Sequence, residues 1–297
     1  MRKNIPVDFR SGFVTIIGKP NVGKSTLLNR LLGEKLSIVS ARPQTTRHSI
    51  KGIYNAEKTQ IVFLDTPGFV EARYELHNNM IDSIETSLKD ADLIVFMTDN
   101  HFPTDYDSRV VSLVLKRVKI PKIAVINKCD LTHNEYVDET RESLLKDGFD
   151  KVLSISALQD EDMSTFINEI VSFLPYSPPY YDEDNLSDLP VKFFAQEIIR
   201  EQIFHLFRDE IPYSSTVTVE SFKEYDNKVE IAANIWLERK SQKIILIGEK
   251  GEKIKQIRLG AEKGIYKLTG KRVKLELWVK IKQDWRKKSN ALKEFGY

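Results

Sequence analysis

The 297-residue chain contains a single cysteine, Cys129, and no long apolar run. One cysteine excludes both an internal disulfide and a zinc site built from cysteines. The longest unbroken apolar run, Leu93–Met97, has five residues, whereas a membrane-spanning helix needs about 20. Residues 1–10 are charged and lack the apolar stretch of a secretory signal, so we expect a cytoplasmic protein. The length and the 41% of apolar residues predict a globular chain of about two domains.

The chain also has little net charge, only +2, but this value is an average over unlike parts. Residues 1–179 sum to −2, residues 180–238 to −8 and residues 239–297 to +12. A basic segment at one end of a nearly neutral protein favours a polyanionic partner. The alternative is a solvated, lysine-rich surface.

Short β-rich runs alternate with helical patterns through residues 1–175, the predicted first domain. Such alternation predicts an α/β fold in which helices cover both faces of a mixed six-stranded sheet. The second and third runs follow each other directly, so we expect an antiparallel pair at one edge. The β-rich runs are Val14–Gly18, His48–Tyr54, Gln60–Thr66, Asp92–Asp99, Lys122–Lys128 and Lys151–Ala157. The helical patterns are Lys24–Leu32, His77–Lys89, Asp105–Val118, Glu135–Lys146 and Met163–Leu174.

A different pattern begins after a proline-rich, acidic stretch, residues 176–188, which we interpret as a linker. Residues 189–297 predict a second, α+β domain with a basic C-terminal tail. Its expected order is a helix over 189–207, strands over 215–222 and 228–238, a short apolar run at 243–247, a basic helix over 253–268 and a strand over 273–282.

The first run leads into Gly-Lys-Pro-Asn-Val-Gly-Lys-Ser, residues 18–25, which matches the phosphate-binding pattern G-x-x-x-x-G-K-[ST]. Its glycines allow backbone N–H groups to surround phosphate oxygens at the start of a helix. Lys24 would reach the β- and γ-phosphates and assist catalysis, and the Ser25 hydroxyl would bind Mg²⁺. The predicted nucleotide-binding residues here are Gly18, Lys19, Pro20, Asn21, Val22, Gly23, Lys24, Ser25 and Thr26.

Three further segments follow the ends of predicted strands, where an open α/β sheet collects its ligand-binding groups. Asp65 would hold Mg²⁺, and Gly68 would offer its N–H to the γ-phosphate. Asp130 would accept hydrogen bonds from guanine N1–H and the 2-amino group, which adenine cannot supply as a pair. The third segment would offer a backbone N–H to guanine O6. The predicted contacts are Asp65, Thr66, Pro67 and Gly68 in the first segment, Asn127, Lys128 and Asp130 in the second, and Ser156 and Ala157 in the third.

Taken in order, these motifs resemble the Ras-like class of P-loop GTPases over residues 12–174. The resemblance implies a GTP- and GDP-binding site with Mg²⁺, and a threonine in the loop after the first helix that completes the metal site. Thr45 and Thr46 are both candidates, and we favour Thr46 as metal ligand and catalytic residue. Ras-like proteins carry a water-orienting glutamine where this chain has Phe69, so slow hydrolysis is expected. Asn21 resembles the residue with which some GTPases hold a catalytic potassium ion.

A second motif, Gly-Glu-Lys-Gly at residues 248–251, lies before the basic helix of the second domain. With the surrounding order of elements it resembles a type II KH domain, whose G-x-x-G loop clamps about four nucleotides. Glu249 departs from the usual basic or neutral residue of that loop. The predicted RNA-binding residues are Gly248, Glu249, Lys250, Gly251, Lys253, Lys255 and Arg258.

The whole chain, from about residue 8 to 287, resembles the bacterial ribosome-associated GTPase family Era. The segments that carry this resemblance include Gln44–His48, Glu197–Glu201, Pro212–Ser214 and Leu275–Lys280. The resemblance implies a monomer that binds the 3′ end of 16S ribosomal RNA, acts in assembly of the 30S subunit and associates peripherally with the inner membrane. Two rival interpretations are a GTPase whose second domain binds protein, and a constitutive RNA-binding protein with a vestigial nucleotide site.

Overall fold

The computed structural model describes residues 7–40, 42–117, 119–159 and 163–297, which form two compact units. The start of the predicted first domain and Val118, the predicted end of one helix, lie outside these ranges. The first unit comprises Met1–Ser37, Thr46–Glu71 and Met80–Asp188. The second comprises Ile38–Thr45, Ala72–Asn79 and Leu189–Tyr297. No helix among the described residues is long and apolar enough to cross a membrane.

The first unit is built on a six-stranded sheet with the order β2-β3-β1-β4-β5-β6. Its strands are β1 (Arg10–Ile17), β2 (Ile50–Ala56), β3 (Thr59–Asp65), β4 (Leu93–Thr98), β5 (Lys122–Ile126) and β6 (Lys151–Ser154). Strand β2 pairs antiparallel with β3 at one edge, and the other pairs are parallel. The predicted mixed sheet with an antiparallel edge pair is therefore confirmed. Every residue of β3, β4 and β5 is buried, as expected for strands covered on both faces.

Helices cover both faces of this sheet and create two apolar cores. They are α1 (Lys24–Leu32), α2 (Glu75–Lys89), α3 (Asp105–Leu115), α4 (Asn134–Lys146) and α5 (Ser164–Phe173). Residues of α1 and α5, such as Leu28 and Ile170, share one core with Val14 and Val95. Residues of α2, α3 and α4 share the other core with Phe96. This arrangement leaves the carboxyl ends of the parallel strands to the loops that carry the predicted motifs.

The acidic stretch 176–188, predicted as a linker, is bonded to the first unit. The Ile53 N–H donates to the carbonyl of Leu186 (2.9 Å), and Lys51 pairs with Asp188 (2.7 Å). The carboxamide oxygen of Gln60 accepts the N–H groups of residues 180 and 181. Because β2 is an edge strand, this segment supplies partners for backbone groups that would otherwise be exposed.

The second unit contains a three-stranded sheet and five helices numbered from α6. Its elements are α6 (Val191–Leu206), α7 (Glu210–Ser214), β7 (Thr216–Glu224), β8 (Lys228–Leu237), α8 (Lys240–Ile247), α9 (Glu252–Thr269), β9 (Arg272–Ile281) and α10 (Ser289–Glu294). Strand β8 lies between an antiparallel β7 and a parallel β9. The predicted α+β architecture is confirmed.

Three helices of this unit, α7, α8 and α10, were not predicted. The apolar run at 243–247 is the second half of helix α8, which begins at Lys240. The Gln242 carboxamide accepts the N–H groups of Glu238 and Arg239 (both 3.1 Å) and so caps this helix. Leu246 is fully buried, whereas Ile244 is 72% exposed. The run is therefore one turn of an amphipathic helix, too short for its period to be recognised from the sequence.

Candidate functional site

The phosphate-binding motif forms the turn between β1 and α1, and packing makes two of its glycines necessary. Gly23 has a φ of 105°, and a Cβ there would lie 2.3 Å from the Asn127 amide nitrogen. A Cβ on Gly18 would lie 2.1 Å from the carbonyl oxygen of Met97. Because only glycine fits these positions, the loop closes tightly beneath the start of α1. A helix N-terminus with such a loop favours an anion.

Lys24, the first residue of α1, has a buried ammonium group that the loop itself holds. Its Nζ donates to the carbonyl oxygens of Gly18 (3.1 Å) and Lys19 (2.9 Å). Burial lowers the pKa of Lys24 to about 8, and the charge of Asp65 partly opposes this shift. A phosphate placed beside this ammonium would favour its charged form.

Three predicted metal ligands meet at the ends of α1 and β3. The Ser25 hydroxyl donates to Asp65 Oδ2 (2.8 Å) and lies 2.9 Å from Thr46 Oγ1. Asp65 is fully buried, and this burial raises the pKa of its carboxyl although Lys24 and Ser25 favour the charged form. The Ser37 hydroxyl also lies near enough to favour the charged form of Asp65. Asp65 Oδ1 nevertheless has no hydrogen bond of ordinary geometry in the described part of the chain.

This group of oxygens fits a magnesium ion. Mg²⁺ is a hard cation that binds few protein ligands, mostly oxygens, together with phosphate oxygens and water. A buried carboxylate oxygen without a hydrogen bond is costly unless a cation or water satisfies it. Among the described residues, no group of three or more His, Cys, Asp or Glu side chains is arranged to hold a metal. Ser25, Thr46 and Asp65 supply oxygens of the kind that this ion prefers.

The residues after β3 continue along the phosphate loop. The Thr66 hydroxyl donates to the carbonyl of Ile16 (2.7 Å), which ties this segment to β1. A Cβ on Gly68 would lie 2.9 to 3.0 Å from atoms of Pro20, so the two segments touch at a point that requires glycine. The Phe69 N–H donates to the carbonyl of Gly18 (3.3 Å).

The predicted base-binding segments meet at the ends of β5 and β6. The Asn127 side chain donates to the carbonyl of Val22 (2.7 Å), which braces the phosphate loop. The Ser156 hydroxyl donates to Asp130 Oδ1 (2.6 Å) and orients that exposed carboxylate. The Ala157 N–H, one of the two backbone N–H groups predicted for guanine O6, donates to Asn127 Oδ1 (2.8 Å).

In the second unit, the G-x-x-G loop joins α8 to α9 through an unusual backbone. Gly248, Lys250 and Gly251 have φ values of 74°, 49° and 80°. Lys253, a predicted RNA contact, has its ammonium 5.0 Å from the ring centre of Phe207, so its charge already lies over an aromatic face. The loop turns the chain sharply at the N-terminus of the basic helix α9.

An open groove of about 540 Å³ runs between α9 and the edge strand β9. Lys255 and Arg258, two of the predicted RNA-binding residues, line its helix side. The residues on its strand side were not predicted, because the alternation of a strand does not show which edge of the sheet lies next to a helix. An exposed tryptophan in a basic strand was the available signal, because exposed aromatics are platforms for nucleotide bases. The lining residues are Ile254, Lys255, Arg258, Glu262, Lys274, Leu275, Glu276, Leu277 and Trp278.

Known proteins share both halves of this organisation. A family model described as 50S ribosome-binding GTPase matches residues 13–128, and a KH domain model matches residues 210–286. The GTPase Era of Halothermothrix orenii is 44% identical over 292 residues, covering 98% of this chain and 99% of that protein. The chain belongs to the GTPase Era family. The Era protein of Alkaliphilus metalliredigens is 41% identical over 294 residues, with 98% and 100% covered.

Two solved Era structures resemble the whole chain. One is an Aquifex aeolicus Era variant bound to GDP and AlF₄⁻, with a TM-score of 0.92, 36% identity and 97% and 99% of the two chains covered. The other, with the same four values, is Era in complex with MgGDPNP and nucleotides 1506–1542 of 16S ribosomal RNA. Membership of the Era family confirms that the chain is a GTPase with an RNA-binding KH domain.

Proposed function

We propose that the chain is a magnesium-dependent, guanine-nucleotide-controlled protein that binds the 3′ region of 16S ribosomal RNA and acts in assembly of the 30S subunit. The observation that carries the nucleotide part is the meeting of Ser25, Thr46 and Asp65 beneath the phosphate loop. The RNA part is supported by the basic groove behind the G-x-x-G loop and by the RNA of the related Era complex.

In the proposed nucleotide site, Lys24 neutralises the β- and γ-phosphates while Ser25, Thr46 and Asp65 hold Mg²⁺. Gly68 offers its N–H to the γ-phosphate. Asp130 accepts from the guanine base. Asn127 and Ser156 brace the pocket with their side chains, and the remaining predicted contacts of residues 18–26, 65–68, 127–130 and 156–157 complete it.

Hydrolysis is proposed to be slow, because Phe69 cannot orient a water molecule as a glutamine does. Asn21, exposed and with a φ of 64°, is proposed to help hold a potassium ion beside the phosphates. Such an ion would supply positive charge where the γ-phosphate leaves. Equal single-turnover rates in potassium and sodium buffers would contradict this part of the proposal.

In the proposed RNA site, the loop 248–251 approaches the phosphates, while Lys250, Lys255 and Arg258 add charge. Lys253 contributes less, since its ammonium already lies over Phe207. Glu262 and Glu276 are the acidic members of the groove. Glu262 pairs with Arg258 (3.0 Å) and accepts the Leu275 N–H (3.2 Å). Trp278, 47% exposed, offers a stacking surface for a base.

The test measures binding of an RNA with the 3′-terminal sequence of 16S ribosomal RNA at several salt concentrations. For Lys255→Ala the slope of log K against log salt should fall by about 0.7 in magnitude, the amount expected for one phosphate contact to single-stranded RNA. Lys228→Ala is the matched control, because Lys228 is half-exposed and pairs with Glu230 outside the groove. The control should keep the slope of the unaltered protein.

Two outcomes would contradict the proposed function. Binding without salt dependence, or without loss in Lys255→Ala, would favour a protein-binding second domain. Absence of GTP hydrolysis in the presence and absence of the RNA would favour a vestigial nucleotide site.

The family model's description names the 50S subunit, so purified 30S and 50S subunits should be compared, with preferential binding to 30S expected.

The proposed location is the cytoplasm, where both GTP and ribosomal RNA are found, and the proposed state is a monomer. Peripheral association with the inner membrane remains an expectation from the family resemblance. Flotation of the purified protein with anionic lipid vesicles, compared with neutral vesicles, measures it directly.

A further inference from the structure

Asp99, the residue after β4, forms ion pairs with lysines from two different segments of the nucleotide site. Its Oδ1 lies 3.0 Å from Lys19 Nζ in the phosphate loop. Its Oδ2 lies 2.7 Å from Lys128 Nζ in the guanine segment. Asp99 belongs to none of the predicted nucleotide-binding motifs, and the residue is only 4% exposed.

Lys128 is a predicted contact of the guanine base, whose plane its alkyl stem would cover, and Asp99 holds its ammonium group. The residue has a left-handed backbone, with a φ of 62°, and its side chain is 32% exposed. A lysine side chain in water has many rotamers, and fixing it costs conformational entropy. Asp99 holds the ammonium end of this side chain before a base arrives. Preorganisation of this kind lowers the cost of binding.

Lys19 is held more firmly still, because it has a second carboxylate. Its ammonium lies 2.9 Å from Asp107 Oδ2 and is itself largely buried. Asp107 also accepts from the Thr98 hydroxyl (3.0 Å) and forms a capping box with Thr104 at the start of α3. The four side chains Lys19, Lys128, Asp99 and Asp107 carry no net charge together. Asp99 is the member that touches both lysines.

The balance of effects on Asp99 agrees with a stable carboxylate. Burial alone would raise its pKa, but hydrogen bonds from Lys128 and Lys19 outweigh burial and hold the pKa below its usual value. The group therefore stays charged at neutral pH, and its charge is directed at two lysines rather than at solvent.

We propose that Asp99 is a positioning residue that joins the phosphate loop to the guanine segment, holding the Lys128 stem ready for the base and thereby slowing nucleotide release. The proposal rests on the proposed function, since it assumes that residues 18–25 and 127–130 bind one guanine nucleotide. A second brace between the same segments, Asn127 to the carbonyl of Val22, is made of neutral groups. The ion pairs of Asp99 add a further link between these segments, through the ammonium groups of Lys19 and Lys128.

The experiment measures release of fluorescent GDP from the full-length protein by stopped flow. Asp99→Asn should release GDP about 10- to 100-fold faster, the range expected for a lost charged hydrogen bond. In a Lys128→Met background, the same change should add less than about threefold, because the side chain that Asp99 positions has lost its ammonium. This lack of additivity is a readout that a purely structural role for Asp99 would not produce.

Asp92→Asn is the matched control at the opposite end of the same strand. Asp92 Oδ2 accepts the Phe13 N–H (2.8 Å), so its loss should lower the melting temperature and leave GDP release within about twofold of the unaltered protein. Release from Asp99→Asn within about twofold, or an additive double variant, would overturn the inference while GDP binding itself stands. Failure of the unaltered protein to bind GDP would overturn the proposed function along with it.

Discussion

At the scale of single residues, base selection depends on how one exposed carboxylate is oriented. Asp130 follows β5, and the Ser156 hydroxyl after β6 holds its Oδ1 at 2.6 Å. We expect the second oxygen and the remaining lone pairs to accept hydrogen bonds from the base. A carboxylate has only acceptors, so it matches a base edge with two adjacent donors, which guanine has and adenine lacks.

We therefore predict a change of base preference in Asp130→Asn. Asparagine replaces one acceptor by a donor, which opposes the 2-amino group of guanine but matches the 2-carbonyl of xanthine. Affinity for GDP should fall by about a hundredfold or more, and affinity for xanthosine diphosphate should rise. Isothermal titration calorimetry with both nucleotides measures the two changes.

Asp138→Asn is the control for this exchange, because Asp138 lies on α4 with its side chain 72% exposed. It should bind both nucleotides as the unaltered protein does. An equal loss of affinity for both nucleotides in Asp130→Asn would mean that the loop had been disrupted and that Asp130 does not select the base.

At the scale of elements, helix α6 carries a buried ion pair at the segment 197–201 that resembles the Era family. The Arg200 guanidinium bonds to Glu197 at 2.9 and 2.5 Å, and both side chains are at least 95% buried. Arg200 also donates to the carbonyl of Thr45, and Glu201 accepts the Val39 N–H (3.4 Å). Within the second unit, α6 is thus the element that holds the segment 38–45.

We predict that Glu197→Gln destabilises the second unit by about 3–5 kcal/mol, because it leaves a buried guanidinium without its counter-charge. Denaturant unfolding followed by tryptophan fluorescence measures the change, since Trp236, Trp278 and Trp285 all lie in this unit. Glu230→Gln, in the half-exposed pair with Lys228, should cost no more than about 1 kcal/mol. Similar losses of unfolding free energy in both variants would show that the buried Arg200–Glu197 pair stabilises the unit no more than a half-exposed pair does.

How far the sequence predicts these elements depends on how local their causes are. Ser25 and Asp65 could be expected to meet, because β1 and β3 are parallel neighbours whose carboxyl ends lie together. Helix α8 was not recognised, since its cap and its buried Leu246 depend on packing of the second unit. The Asp99 bridge was missed for a similar reason: it joins residues 80 and 29 positions apart, and no motif spans them.

At the scale of the whole molecule, the chain crosses between its two compact units next to Thr46, the proposed metal ligand, and close to Gly68, the proposed γ-phosphate contact. It leaves the first unit after Ser37 and returns at Thr46, then leaves again after Glu71 and returns at Met80. Thr46 is covalently joined to a segment of the second unit, and Gly68 is four residues from the next such segment. Nucleotide-dependent ordering at these two residues therefore has a direct route along the backbone into the unit that carries the RNA groove.

We predict that the nucleotide state and RNA affinity are coupled by a factor of about 5 to 150, the usual range for allosteric proteins. The expected sign is tighter RNA binding with a non-hydrolysable GTP analogue than with GDP. Linkage then requires that RNA raise the affinity for the analogue relative to GDP by the same factor, so the two titrations check each other. Equal RNA affinity in both nucleotide states would contradict the switch, and the chain would then be a GTPase and an RNA-binding protein with independent sites.

A measured coupling that disappears in Arg200→Met, with RNA affinity in GDP unchanged, would identify the bond from α6 to Thr45 as the point at which the γ-phosphate is sensed.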